Sequence, residues 1–254
     1  MHLILKKSKI IKKVLACLFL LIIGWNDANA EFLVALDIGH TPDNPGATSA
    51  RGRKEYYFNK EIAIRVNEAL NKRSNLASFI INLKGKNIAL KKRTEIAKMR
   101  KADLFLSLHH DSVQPHYLHE WFYDKKRAFY SDNFEGYSIF ISNKNINNEE
   151  SQELAIIIGK HLLGIGLKPT LHHSEPIIGE NRKLLNKEKG VYEFNDLVVL
   201  KTSPMPALLL ECGIIVNRKE ELLIMGKEFK SDVSQAIVKA IVKYAETHTN
   251  FDIK

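Results

Sequence analysis

The 254-residue chain has two cysteines, Cys17 and Cys212, and Cys17 falls in a stretch near the start that does not read as part of the folded protein. That leaves Cys212 alone, so no internal disulfide is available and the fold must rest on its core and on any bound metal. Residues 14–24 are apolar but too few to cross a bilayer comfortably. There is no internal repeat, no low-complexity linker and no sign of a second domain. A recognisable nucleic-acid-binding motif is also missing, so the formal charge of +9 does not by itself make the chain a nucleic-acid binder.

What is present begins with a tripartite start. Lys6, Lys7, Lys9, Lys12 and Lys13 precede the apolar stretch, and Ala28-Asn29-Ala30 is a small-x-small cleavage site. Residues 1–30 therefore read as a secretory signal and 31–254 as the exported domain, destined for a periplasmic or extracellular wall compartment without stable membrane insertion. An uncleaved anchor, or lipidation at Cys17, is the alternative. The five lysines and Asp27 account for +4 of the +9, leaving a modest basic excess on the exported part. Lysine and arginine cluster at 84–101 and 125–127, which suits an anionic polymer, although the first cluster interleaves with Ile88, Leu90, Ile96 and Ala97 as a solvated helix face does.

From Phe32 onward, apolar runs of strand length alternate with segments of helical period. This predicts a single α/β domain with a mostly parallel twisted sheet and helices on both faces. Strands are expected at 32–38, 77–83, 103–108, 136–142 and 206–210. Helices are expected at 58–72, 87–100, from about 147 to 163, shortly after Asn217, and at 233–244. Asn147 with Glu150, and Asn217 with Glu220, have the spacing of helix-start capping pairs. Residues 112–135 break the rhythm with Trp121, Phe122, Tyr123, Phe129 and Tyr130 and read as an insertion or lid. Residues 168–189 read as a long loop at the rim of a site.

Ligands of open α/β sheets bind beyond the carboxyl ends of the strands. His40, His109 and Glu211 each close an apolar run, and Glu55 opens a helix-like stretch. Zn²⁺ in a hydrolytic site takes three protein ligands and keeps one position open, and His₂Glu is one attested set. His40, Glu55 and His109 would supply it, and Glu211 would serve as the base that manages the proton of the attacking water. His109 and His110 are neighbours on a strand and point to opposite faces, so the pattern admits one of them and does not say which. His172-His173 reads as a polar pair in the loop rather than a second metal site. Cys212 reads as a buried structural thiol facing away from Glu211.

These stretches resemble the zinc-dependent N-acetylmuramoyl-L-alanine amidases of the Amidase_3 family across nearly all of 32–245. The resemblance is carried by Leu36-Asp37-Ile38-Gly39-His40, by Glu55 with Asn59, and by residues 93–97 leading into Ala102-Asp103-Leu104-Phe105-Leu106-Ser107-Leu108-His109. It continues with 197–200 and with Met205-Pro206-Ala207 through Glu211-Cys212-Gly213 to Asn217. It implies that His40, Glu55 and His109 are the zinc ligands, that the histidine of the pair is His109, and that Glu211 is the catalytic carboxylate. The implied substrate is peptidoglycan or its muropeptides, cleaved at the amide between the lactyl group of N-acetylmuramic acid and L-alanine. The family often has a small residue and Asn where this chain has His110-Asp111, and a small residue such as Thr in place of Cys212. The inserted helix that occludes the zinc in some relatives has no room in residues 143–150, so any gating by an activator would fall to 112–135. Competing readings are a zinc peptidase or deacetylase using the same site, and a silent peptidoglycan-binding module, for which loss of a ligand or of the base would be the sign.

Overall fold

A computed structural model describes residues 32–249; the expected signal segment lies outside them. Seven strands form the main sheet in the order β2-β1-β3-β9-β6-β8-β7. They are β1 (Phe32–Ile38), β2 (Leu76–Ile80), β3 (Leu104–Asp111), β6 (Ser138–Ile141), β7 (Lys183–Asn186), β8 (Val191–Glu193) and β9 (Ala207–Ile214). Four of the six pairings are parallel, and β6 with β9 and β7 with β8 are antiparallel. The mostly parallel α/β domain is therefore as expected.

The central strands are apolar in both directions because both faces are covered. Val34, Leu36, Leu104, Leu106, Leu208 and Leu210 face one core, built with Ile62 and Val66 of α1 (Glu55–Leu70), Leu154 and Ile158 of α3 (Asn148–Gly164), and Ile237 and Ile241 of α6 (Lys227–His248). The alternate residues Ala35, Phe105, Ala207 and Leu209 face a thinner core with Ala97 of α2 (Leu90–Met99) and Val199 and Leu200 of α4 (Val198–Lys201). The thinner cover leaves space at the carboxyl ends of β1, β3 and β9.

Several expectations change in detail. The run at β3 continues through His109-His110-Asp111, with a register shift against β9 between His109 and Asp111. The loop expected at 168–189 contains a 3₁₀ turn (His172–Ser174) and β7, and the short strand β8 follows it unannounced. Residues 112–135 contain a separate two-stranded hairpin, β4 (His119–Tyr123) with β5 (Lys126–Tyr130).

The capping pairs behave differently from each other. Asn147 makes no side-chain cap; its amide donates to the Pro204 carbonyl at 3.1 Å. Asn217 does cap α5 (Arg218–Met225), accepting from the Lys219 and Glu220 N–H groups at 3.0 Å each. Glu220 does not reach back as a capping box requires. Its carboxylate accepts instead from the N–H groups of Gly136 and Ile214, tying the start of β6 to the end of β9.

Candidate active site

β1 delivers His40 one residue beyond Gly39, and both glycines of this loop are required by contact. A Cβ on Gly39 would overlap the His109 ring, and one on Gly46 would overlap the Glu55 carboxylate. Gly46 also has φ +74°, a region that L side chains rarely adopt. His40 itself has φ +67°, uncommon for a residue with a side chain. The backbone that holds this turn is anchored by Arg93 of α2, which is buried. Its guanidinium donates to Asp37 Oδ1 at 2.9 Å, to the Ile38 carbonyl at 2.7 Å and to the His40 carbonyl at 3.2 Å. Ser107 of β3 donates to the other oxygen of Asp37 at 2.8 Å. Sequence reasoning matched Asp37 and Arg93 to a family pattern without assigning them this task; an arginine amid the other basic residues of a solvated helix face gives no signal of burial.

Glu55 is buried at the first position of α1, where the partial positive charge of a helix start favours a carboxylate. Its Oε2 lies 3.0 Å from His40 Nε2 and accepts from the Ala47 N–H at 3.0 Å. Its Oε1 lies 3.0 Å from His109 Nδ1 and accepts from the Asn59 amide at 2.9 Å. Burial alone would raise its pKa, but hydrogen bonds from His109 and His40 and their charge outweigh this and hold it well below the usual carboxylate range. Asn59 continues the chain, donating to the Gly39 carbonyl at 3.2 Å and meeting His110 Nδ1 through its own oxygen at 2.8 Å. His110 therefore faces Asn59 and Phe58, away from the cluster, and burial pulls its pKa down to about 3, so it stays neutral.

The structure thus brings His40, Glu55 and His109 together, with one donor atom from each within 4.8 Å of the others. Two imidazole nitrogens and a carboxylate at these separations suit a divalent transition metal. Glu211 stands beside His109 in the β3/β9 register. It is half-buried, and its Oε2 is shielded from solvent without a hydrogen-bond partner. Burial first, then the charges of Asp111 and Glu55, push its pKa well above the ordinary value. Cys212 points the other way, into the thicker core, and burial pushes its thiol up. A cavity of ≈ 410 Å³ opens beside His40 and His109, walled by Ile88, Leu90, Leu197, Val199 and Leu209.

The fold and this constellation are matched by known proteins. The Amidase_3 family, described as N-acetylmuramoyl-L-alanine amidase, matches residues 34–243, and the chain belongs to that family. It is a peptidoglycan hydrolase that cleaves the amide between N-acetylmuramic acid and L-alanine. It is similar to the N-acetylmuramoyl-L-alanine amidase AmiA of Escherichia coli (strain K12), 27% identical over 238 residues that cover 84% of this chain and 75% of the other. Its fold is that of the N-acetylmuramoyl-L-alanine amidase from Clostridium difficile 630 (TM-score 0.69, 21% identity, 87% of this chain and 100% of the other). It is likewise that of the catalytic domain of CwlV from Bacillus (Paenibacillus) polymyxa var. colistinus (TM-score 0.65, 23% identity, 85% and 98%).

Proposed function

We propose that His40, Glu55 and His109 hold one zinc ion and that Glu211 is the general base and acid of the amide hydrolysis. The observation that carries the reading is the convergence of these three donors within 4.8 Å at the strand ends, with Glu211 next to His109 in register. Zinc bound there would polarise the scissile carbonyl and bring the pKa of its water toward neutrality.

The chain's own part is positioning and proton transfer. Glu55 is kept anionic by its histidine partners and held in place by Asn59 and the Ala47 N–H. Arg93 and Asp37 fix the turn that carries His40. Glu211, with a raised pKa, takes the proton released as water adds to the lactyl carbonyl carbon and gives it to the L-alanine nitrogen as the C–N bond breaks. The products are a lactyl carboxylate on the glycan and a stem peptide with a free amine. The ≈ 410 Å³ cavity is the proposed seat for the substrate beside the scissile bond. Residues 1–30 would direct export and be removed after Ala30. Among the described residues no helix is long and apolar enough to cross a membrane.

Digestion of purified sacculi followed by muropeptide analysis tests the reading. Intact stem peptides and bare glycan are expected, with release abolished by a chelator and restored by Zn²⁺. Activity that persists after complete metal removal, or products cut within the peptide or deacetylated on the sugar, would overturn it.

A further inference from the structure

A second group of imidazoles and a carboxylate lies outside the site just described. His172 and His173, in the 3₁₀ turn of the 168–189 segment, are both buried, and their rings lie tilted at 37° with centroids 3.9 Å apart. Both aim Nε2 at one oxygen of Asp111, the last residue of β3. His173 Nε2 is 2.8 Å and His172 Nε2 is 3.5 Å from Asp111 Oδ2. The three donor atoms lie within 4.8 Å of one another. Donors bound to one tetrahedral zinc at about 2.0–2.2 Å sit roughly 3.3–3.5 Å apart, so the His172 spacing already matches and the His173 spacing needs to open by about half an ångström.

The far side of each ring is also engaged. His173 Nδ1 meets Glu180 Oε2 at 2.8 Å, and Glu180 is fixed through its other oxygen by the Gln114 amide at 2.9 Å. His172 Nδ1 meets the Thr170 hydroxyl at 2.8 Å. This is how metal-binding histidines are usually held, with the non-ligating nitrogen on a carboxylate or other polar group that fixes the ring and its tautomer. Phe134, Phe140 and Tyr192 close around the pair at ring separations of 5.1, 4.9 and 5.6 Å.

A carboxylate–imidazolium–carboxylate chain from Asp111 through His173 to Glu180 accounts for His173 without any ion, and its pKa raised to about 9 agrees with that state. It does not account for His172. The Nε2 of His172 is shielded from solvent and has no hydrogen-bond partner. An orphaned nitrogen in a protein interior is costly, and here it faces the same carboxylate oxygen as its neighbour. We infer that Asp111, His172 and His173 form a second binding site for a divalent transition metal of zinc type, with Glu180 and Thr170 as the groups that orient the two rings. Three protein ligands leave room for a further one from water or substrate. The inference does not rest on the assignment of His40, Glu55 and His109.

The test is metal stoichiometry on the purified protein, stripped with chelator, reloaded with Zn²⁺ and measured by elemental analysis and calorimetric titration. Asp111→Asn, which keeps size and an acceptor oxygen, is compared with His172→Ala and with His40→Ala, each checked for native circular dichroism. Two equivalents are expected in the wild type. One should be lost, or bound at least tenfold more weakly, in Asp111→Asn and His172→Ala, and a different one should be lost in His40→Ala. If Asp111→Asn binds zinc with wild-type stoichiometry and affinity, the second site is refuted, whether or not His172→Ala folds. Loss of metal in Asp111→Asn but not in His40→Ala would sustain the second site while removing the first.

Discussion

His40, Glu55 and His109 converge at the carboxyl ends of two paired parallel strands and the first turn of a helix, whereas His172 and His173 reach Asp111 from a long segment laid over the antiparallel flank of the same sheet. The first group is held on a backbone turn braced by buried side chains: Arg93 on three acceptors of β1 and its following turn, Asn59 on Glu55 and Gly39, with glycines at the points of contact. In the second, the ring nitrogens are oriented by side chains, Glu180 with Gln114 behind it and Thr170, on a turn whose His172 and His173 carbonyls accept from the Glu175 and Arg182 N–H groups. One is an outcome of the sheet's topology, which would present chemistry at that edge in many sequences. The other exists only because particular side chains meet across 62 positions of chain.

This contrast predicts where substitutions will hurt, and the largest effect should be chemical. Glu211→Gln preserves shape and removes the base, so stem-peptide release should fall by about 10²–10⁴-fold while bound metal and melting temperature stay near wild type. His109→Ala should lose both activity and that metal. A Glu211→Gln enzyme with near-normal turnover would move the base to another residue and dissolve the distinction between a strand-end site and its surroundings.

Next comes the anchor beneath the first cluster. Arg93 and Asp37 form a buried ion pair, with each side chain almost wholly inaccessible. Removing one partner leaves the other charge uncompensated, so Arg93→Met should lower unfolding free energy by ~3–5 kcal/mol in denaturant titration. The loss should be far smaller for Asp196→Ala, whose pairs with Lys144 and Lys201 lie at the surface.

The junction between the two halves of the sheet should respond to pH. Burial raises the Glu220 pKa to about 8 despite the N–H groups of Gly136 and Ile214, with Glu135 and Asp111 adding like charge. A carboxyl with a folded pKa above its unfolded value favours the fold when protonated. That contribution is complete below about pH 4.5 and is lost as pH rises through about 8, amounting to a few kcal/mol in order of magnitude. Glu220→Gln should flatten this decline in thermal scans from pH 5 to 9. An unchanged slope would mean that the group is already ionised in the folded protein.

The two regions also differ in how far the sequence announces them. The apolar runs behind β1, β3 and β9 are unbroken because helices cover both faces, and a run ending in His or Glu marks the functional edge directly. β8 has only three residues, Val191-Tyr192-Glu193, too short for any period, and β7 lies among polar residues. Asn147 and Glu150 have the right spacing for a cap, yet tertiary contact with Pro204 claims the asparagine. His172-His173 reads as a loop pair because the partner that buries it, Asp111, is visible only once β3 is known to run past His109. Local pattern identifies residues whose role follows from the element they end, and misses those whose role follows from a distant neighbour.

The hairpin of β4 and β5 tests this boundary with the smallest expected effect. It has its own two-stranded sheet, with Phe122, Tyr123 and Phe129 exposed. It is attached by the Trp121 indole donating to the Ala50 carbonyl at 2.9 Å, by Arg51 over Trp121 and Tyr123, and by Arg218 over Tyr130. None of its residues lines the cavity beside His40. Deleting residues 115–133 should therefore leave metal binding and turnover of a short soluble muropeptide intact. Exposed aromatics beside Lys125, Lys126 and Arg127 suit contact with a polyanionic glycan. The same deletion should weaken binding to intact sacculi by a few-fold in a pull-down assay. If it instead raises turnover on the soluble fragment, the hairpin restrains the site; if neither substrate is affected, it takes no part in gating or in polymer capture.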